Sequence, residues 1–430
     1  MSIKFLGIIY IFLLFPTLSL LNIGNFPLLR VDFVGQILLL GYMIFTVSTN
    51  NIKIKKIELL LFGLLIFIYS YGSLLNILYF DSFDGSNFFK MFIQSSFVFL
   101  ICFFILNLDL KKFNLMKFYK YLFNFGFILA IYSLYQVISL NIVELPFESI
   151  HFNNPHFQEY SVQASFAGYT RPTSIFMEPT HFAFFLQIII IIGLFALKYN
   201  YQKIINVNFV KLSVVVIAFL STISLFNFLS LLVVTFIYFK FVRIFIFTLI
   251  PLIGVSLNYL DLLGPFIRIT DLLHVLFISG NLSMVDSSFM MRIGKIIIGL
   301  QVWMDHFWIG TGLNNLGTFS SEYNVSGNWF RYDTDFTFTN VFYIQSLAET
   351  GILGTIMITL LFVYMFTQLK YLNINSIEIR FYAQISIALL IGFLVNQDLP
   401  LSSSYRLFYF ILIFIAINKV KEYRRSKIEQ

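Results

Sequence analysis

The chain has 430 residues, of which 59% are hydrophobic, 19% aromatic and only 11% charged, with a formal net charge of +7 and a mean hydropathy of +0.85. A soluble globular domain carries about 25% charged residues, so this composition excludes one and points to a polytopic membrane protein. The positive balance is spread over short loops, which marks topology and excludes a nucleic-acid footprint.

A helix needs about 20 apolar residues to cross the hydrocarbon layer. In chain order, twelve such runs are expected, at roughly 3–21, 27–48, 57–80, 88–107, 118–140, 179–198, 209–223, 225–239, 242–260, 338–368, 377–396 and 404–419. The runs are continuous rather than alternating, which predicts helices and not a barrel. The first ends in Leu20-Leu21-Asn22 without a small-residue cleavage site, so a retained helix is expected. Ser224, Asn227 and Ser230 interrupt 209–239, which is counted as two short spans; one broken helix there would change the parity. The single cysteine, Cys102, falls in a predicted span and offers neither a disulfide framework nor thiol chemistry. Without repeats or low-complexity linkers, residues 1–430 are expected to form one all-α integral membrane domain.

Lysine and arginine collect on the cytoplasmic side of membrane proteins. With Lys4 inside, alternation of the twelve runs places 20 of the 28 basic residues in cytoplasmic segments and both termini in the cytoplasm. It leaves two long loops, about 141–178 and 261–337, outside. Sixteen of the twenty inner cations are lysine, whereas six of the eight outer ones are arginine, at 30, 171, 268, 292, 331 and 406. A guanidinium fork matches phosphate and carboxylate bidentately, where an ammonium acts as a point charge. All five histidines, 151, 156, 181, 274 and 306, also fall outside. The outward face is expected to handle an anionic ligand.

The first outer loop closes on Arg171-Pro-Thr-Ser-Ile-Phe-Met-Glu178-Pro-Thr-His181, directly before an apolar run. Charge is expensive at a membrane helix and usually functional. Pro179 suits the first turn of a helix, whose positive end then faces outward and favours an anion. Glu178 either caps that terminus or joins Arg171 and His181 in a functional site.

In the second loop an amphipathic helix is expected. Phe289, Ile293, Ile296, Ile297, Leu300, Trp303, Met304 and Phe307 form its apolar face, and Arg292, Lys295, Gly299, Val302 and His306 a neighbouring stripe. Its apolar face lies on the bilayer or caps the bundle, and Arg292 either snorkels or meets a lipid diphosphate. Gly310-Thr-Gly312-Leu-Asn-Asn-Leu-Gly317 follows, a stretch whose backbone N–H groups could approach an anion but which lacks a nucleotide-binding context. Asp333-Thr-Asp335 is a weak divalent-cation signal, and no metal is assigned. In the long run that follows, Asn340, Tyr343, Ser346 and Glu349 recur every third residue and are expected to present a polar strip to an outer cavity; Glu349-Thr-Gly351 could equally be packing punctuation.

Three stretches together carry a resemblance: the Arg171 to His181 segment with Phe182-Ala183; Arg292 followed by Trp303-Met-Asp-His-Phe-Trp-Ile-Gly-Thr-Gly-Leu-Asn-Asn; and Asn340-Val-Phe-Tyr-Ile-Gln-Ser-Leu-Ala-Glu349-Thr-Gly-Ile-Leu-Gly354. The chain resembles the Wzy-type O-antigen and surface-polysaccharide polymerases and, more distantly, the O-antigen ligases of the same superfamily. The resemblance implies a glycosyltransferase of the cytoplasmic (inner) membrane that joins undecaprenyl-diphosphate-linked oligosaccharide units at the outer face, without a cofactor. It leaves open a chain-length regulator as partner. The ligases carry a histidine where this chain has Thr339, which weakens the ligase reading. On this reading Arg171 and Arg292, with Arg268 and Arg331 next, bind the diphosphate. Asn340 and Glu349 line the glycan site, Glu178 is the general base and His181 its runner-up. A flippase or transporter for lipid-linked sugars is the competing class.

Overall fold

The computed structural model describes residues 19–23, 26–49, 55–79, 84–111, 113–146, 165–166, 169–176, 178–239, 287–320, 341–370, 374–395 and 404–428. These are mostly helical, and helices occupy ten of the twelve expected runs. They are α1 (Val31–Thr49), α2 (Lys56–Tyr79), α3 (Gly85–Asn107), α4 (Leu115–Asn141), α5 (Pro179–Lys198), the short α6 (Gln202–Ile205), α7 (Phe209–Ser221), α8 (Leu225–Tyr238), α9 (Ser287–Asp305), the short α10 (Leu316–Ser320), α11 (Phe342–Leu369), α12 (Ile377–Val395) and α13 (Ser404–Ile428). Among the described residues four helices, α4, α5, α11 and α12, are long and apolar enough to cross a membrane; α1, α3, α7 and α8 contribute shorter apolar stretches. The run at 242–260 and most of that at 3–21 lie outside the described residues.

The first expected boundary is corrected. Ser19–Ile23 (β1) and Phe26–Arg30 (β2) pair as an antiparallel hairpin, with Ile23 opposite Phe26. The hairpin takes the end of one apolar run and the start of the next, and α1 begins only at Val31. Gly24-Asn25 between the strands is a two-residue hairpin signal that outweighs apolar length. The interrupted run at 209–239 resolves into two helices, since Ile223 adopts a left-handed backbone (φ 48°) between α7 and α8. Helix starts follow local chemistry: the Asn114 and Asn208 side chains accept from the N–H groups of Lys117 and Lys211 at 2.8 and 2.7 Å.

Two helices hold the centre. α5 is apolar on every side and nearly all buried, against α4, α7, α8 and α12. α13 is buried from Leu407 to Asn418, against α3, α11 and α12. The two halves meet where Tyr409 stacks on Phe184 (4.1 Å between ring centres) and its hydroxyl donates to the Phe184 carbonyl at 3.1 Å. Around this core the apolar residues face outward instead. Ile57, Leu60, Leu64, Phe67, Tyr71 and Leu74 of α2, spaced three and four apart, are all exposed, as are Leu353, Ile356, Leu360 and Val363 of α11. Such stripes suit lipid, and they mark a membrane protein.

Connecting segments pair with one another at each end of the bundle. At one end the Asp84 N–H donates to Asn315 at 2.7 Å and the Tyr169 hydroxyl to the Ser221 carbonyl at 3.0 Å. At the other, Asn418 donates to the carbonyls of Ile105, Leu106 and Leu108 at 2.7, 3.2 and 2.9 Å, and Arg424 to that of Lys370 at 2.6 Å.

Candidate functional site

The polar segment before α5 is a strap pinned to α4. Ser165–Phe166 (β3) and Tyr169–Thr170 (β4) form a minimal hairpin that delivers the chain to the end of α4. There the Thr170 N–H donates to Asn141 Oδ1 at 2.6 Å, while Asn141 Nδ2 donates to the Thr170 carbonyl at 2.9 Å. Four residues on, the Ser174 N–H donates to Gln136 Oε1 at 2.6 Å and Gln136 Nε2 returns to the Ser174 carbonyl at 3.2 Å. The Ser174 hydroxyl reaches the Leu129 carbonyl at 3.2 Å, which holds its left-handed backbone (φ 53°). The strap therefore runs antiparallel to α4 and descends into the bundle by about 8 Å between the two pins, at 1.5 Å per residue of helix. Ile175 and Phe176 are buried at its foot, and the Phe176 ring lies 5.4 Å from those of Phe182 and Phe185 on α5.

Of the three residues nominated for chemistry, this construction carries Arg171 on the strap, while Glu178 and His181 stand at the start of α5. Arg171, partly exposed, stands between the pins. Its charge reaches the neighbouring phenol: burial pushes the Tyr169 hydroxyl up, against the opposing pull of Ser221 and of the Arg171 cation. Glu178 occupies the N-cap position in an extended conformation, with Pro179 in the first turn, yet its side chain makes no capping bond and is exposed. The reading of Glu178 as a side-chain cap is thereby corrected. His181, one turn into α5, is buried and electrostatically coupled to Glu178. Asn227 of α8 closes the same corner by donating to the Thr180 carbonyl at 3.1 Å.

The second cluster is an interlock rather than an open cavity. α11 is two helical pieces joined at Gly351 (φ 61°, ψ −167°). Its four freed backbone groups are taken up by the chain that follows α9. The carbonyls of Ala348 and Glu349 accept from the N–H groups of Thr311 and Gly312, both at 2.8 Å, and the N–H groups of Ile352 and Leu353 donate to the carbonyls of Phe307 and Trp308 at 2.9 and 3.4 Å. The glycine stretch therefore spends the Thr311 and Gly312 amides on α11 and not on an anion. Glu349 is buried, and Gln345 Nε2 donates to it at 3.0 Å while the Asn314 backbone amide does the same. Ser346 is buried as well, so the expected strip to an outer cavity turns inward, and only Tyr343 keeps partial exposure.

The amphipathic helix is present as α9; much of its apolar face is exposed, as contact with a bilayer requires, and Gly299 and Val302 of the neighbouring stripe are buried instead. Ile298 and Val302 are packed with Leu316, Phe319 and Ala348, and Gly294 and Gly299 are buried beside them; Ile297, Met304, Phe307 and Trp308 are exposed. α9 packs on α11 along this face, and small residues suit contacts between membrane helices.

Arg292 lies within α9. Arg268, Arg331, Asn340, Thr339, Asp333 and Asp335 lie outside the described residues. Arg30, also expected outside, is committed: its fork holds buried Asp32 at 3.0 and 2.8 Å. The residues that sequence reasoning missed are Gln136 and Asn141. Their signal was a pair of carboxamides near the end of an otherwise apolar helix. Compared with protein-family models and with curated proteins, the chain matches none.

Proposed function

We propose that this chain is a membrane glycosyltransferase that polymerises undecaprenyl-diphosphate-linked oligosaccharide units, with the arginine-rich face outward and the lysine-rich face in the cytoplasm. The observation that supports it best is the pinned strap, which carries the partly exposed Arg171 and leads to the exposed Glu178 at the N-terminus of the central helix, where an anion is favoured.

The donor is a glycan on lipid diphosphate, and the acceptor is a sugar hydroxyl on the incoming unit. Cleavage of the anomeric C–O bond puts charge on the departing diphosphate. A preorganised cation stabilises that charge, and removal of one such donor raises a barrier by on the order of 2.7 to 4 kcal/mol. Arg171 takes this role, joined by Arg292, Arg268 and Arg331 as candidates. Glu178 accepts the proton of the acceptor hydroxyl. It is preferred over His181 because its carboxylate is exposed, whereas the imidazole lies buried beneath it. A single displacement inverts the anomeric carbon.

The test is reconstitution: purified protein with defined lipid-linked repeat units, scored for glycan lengthening without nucleotide sugar or metal. Arg171→Lys should shorten or abolish the ladder, and Glu178→Gln should stop lengthening while protein remains in the membrane. A normal ladder from either variant removes that residue from the mechanism. Transfer only to a non-identical acceptor would favour a ligase.

The broken helix α11 favours a second reading, since discontinuous helices line the sites of transporters. Against it, backbone groups freed at Gly351 are hydrogen-bonded to residues 307–312. Movement of labelled lipid-linked units across vesicles, without lengthening, would favour the transporter.

A further inference from the structure

We propose that Gln136 and Asn141 are positioning residues, which hold Arg171 where it meets a lipid diphosphate; this rests on the diphosphate role given to Arg171 above. A carboxamide carries a donor and an acceptor at the spacing of a peptide group, so each of these side chains binds both the N–H and the C=O of one strap residue, as a neighbouring strand would. Asn141 takes both groups of Thr170 and Gln136 both groups of Ser174. Only Arg171, Pro172 and Thr173 lie between the pins. Pro172 fixes its own φ and is buried, so few backbone torsions are left to move the guanidinium.

The pins stand on a rigid element. Gln136 is 1% exposed and belongs to α4, which packs against α5 and α7. Anion grip by a side chain on a mobile loop loses affinity to the ordering of that loop; a strap bolted at both ends has already lost that freedom. Cutting a pin returns it and strands a peptide N–H. The guanidinium and its charge remain, but its placement does not.

A role through Arg171 and a role in general stability make different predictions in a double-mutant cycle, because residues acting through one another are non-additive. The measurement is binding of undecaprenyl diphosphate to the full-length purified protein. The variants are Gln136→Ala and Asn141→Ala, each alone and combined with Arg171→Ala, with Asn418→Ala as a control for loss of a buried carboxamide at the opposite end. Each pin variant should weaken binding about tenfold, the effect of one buried hydrogen bond. Neither should weaken it further once Arg171→Ala is present, and Asn418→Ala should lower thermal stability with binding unchanged. Wild-type affinity in the pin variants, or losses that add to that of Arg171→Ala, would overturn the inference. Should Gln136→Ala fail to reach the membrane, Asn141→Asp supplies the test. Its carboxylate still accepts from Thr170 N–H but cannot donate to the Thr170 carbonyl, and binding should fall in the same Arg171-dependent way. If Arg171→Ala binds as tightly as wild type, the diphosphate role of Arg171 fails and this inference fails with it, a pattern distinct from the others.

Discussion

Gly310 and Gly351 each lie against the backbone that leads into the other, at a distance that leaves no room for a side chain. A Cβ at Gly310 would fall on the peptide between Glu349 and Thr350, and one at Gly351 on that between Trp308 and Ile309. Both residues have positive φ, 67° and 61°. The break in α11 and the tight path of the 307–312 segment are thus one feature with two halves. Gly310→Ala and Gly351→Ala should each destabilise the protein by at least about 1 to 3 kcal/mol from backbone strain alone, with the clash added. Gly41→Ala in α1 has open space at its Cβ and is expected to be neutral or slightly stabilising. Thermal melting of detergent-solubilised variants reads the difference; equal melting of Gly351→Ala and Gly41→Ala would show that α11 is not locked there.

The buried Glu349 belongs to the same interlock, and its partners are both donors, Gln345 Nε2 and the Asn314 amide. Glu349→Gln keeps an acceptor oxygen for them and should melt close to wild type. Glu349→Leu strands both donors in a buried site and should cost about 1 to 3 kcal/mol for each. Activity should follow stability across the pair. A Glu349→Gln protein that melts normally but has lost activity would instead return Glu349 to the glycan site.

How much of this was legible in the residues differs from element to element. Helix positions were, because apolar length is a local property. The pins and the glycine interlock were not, because Asn141 and Thr170 are 29 residues apart and Gly310 and Gly351 lie in separate segments, so no spacing rule connects them. Which face of α9 is buried was left open between the bilayer and the bundle for a different reason. In water hydrophobicity selects the inner face, but lipid is as apolar as leucine, and the inner face is then selected by small size. Gly294 and Gly299 carried that signal, while Ile297, Met304 and Phe307 faced outward. Among the nominated site residues, His181 feels the charge of Glu178 across the first turn of α5, a local relationship that sequence spacing shows, whereas Arg171 acts on Tyr169 in the strap.

At the lysine-rich end, three helices meet on one ion pair. Lys421 of α13 donates to Glu58 of α2 and, at 2.8 Å, to the Tyr364 hydroxyl of α11, which itself donates to Glu58 at 2.9 Å. Both charged side chains are nearly inaccessible, at 7% and 1%. Glu58→Leu leaves the ammonium buried without its counter-charge and should destabilise the protein by about 3 to 5 kcal/mol, whereas the double variant Glu58→Leu/Lys421→Met removes both charges and should regain most of it. Melting curves of the single and double variants decide this. A double variant no more stable than Glu58→Leu would mean that the pair contributes through Tyr364 and packing rather than through charge balance.

The assignment of faces makes the last prediction. Thr173, in the strap, and Lys203, after α5, sit at opposite ends of the central helix, and each has accessible surface. The one native thiol, Cys102, is buried in α3, so single cysteines at these positions can be read with little background. In intact cells whose outer barrier is made permeable, a membrane-impermeant maleimide should label Thr173→Cys and spare Lys203→Cys; after disruption of the inner membrane both should react. The logic is electrostatic: lysine-rich ends of membrane proteins are held in the cytoplasm, which on the proposed reading turns the strap outward. Labelling of Lys203→Cys in intact cells with Thr173→Cys protected would invert the protein and remove the strap from the outer surface.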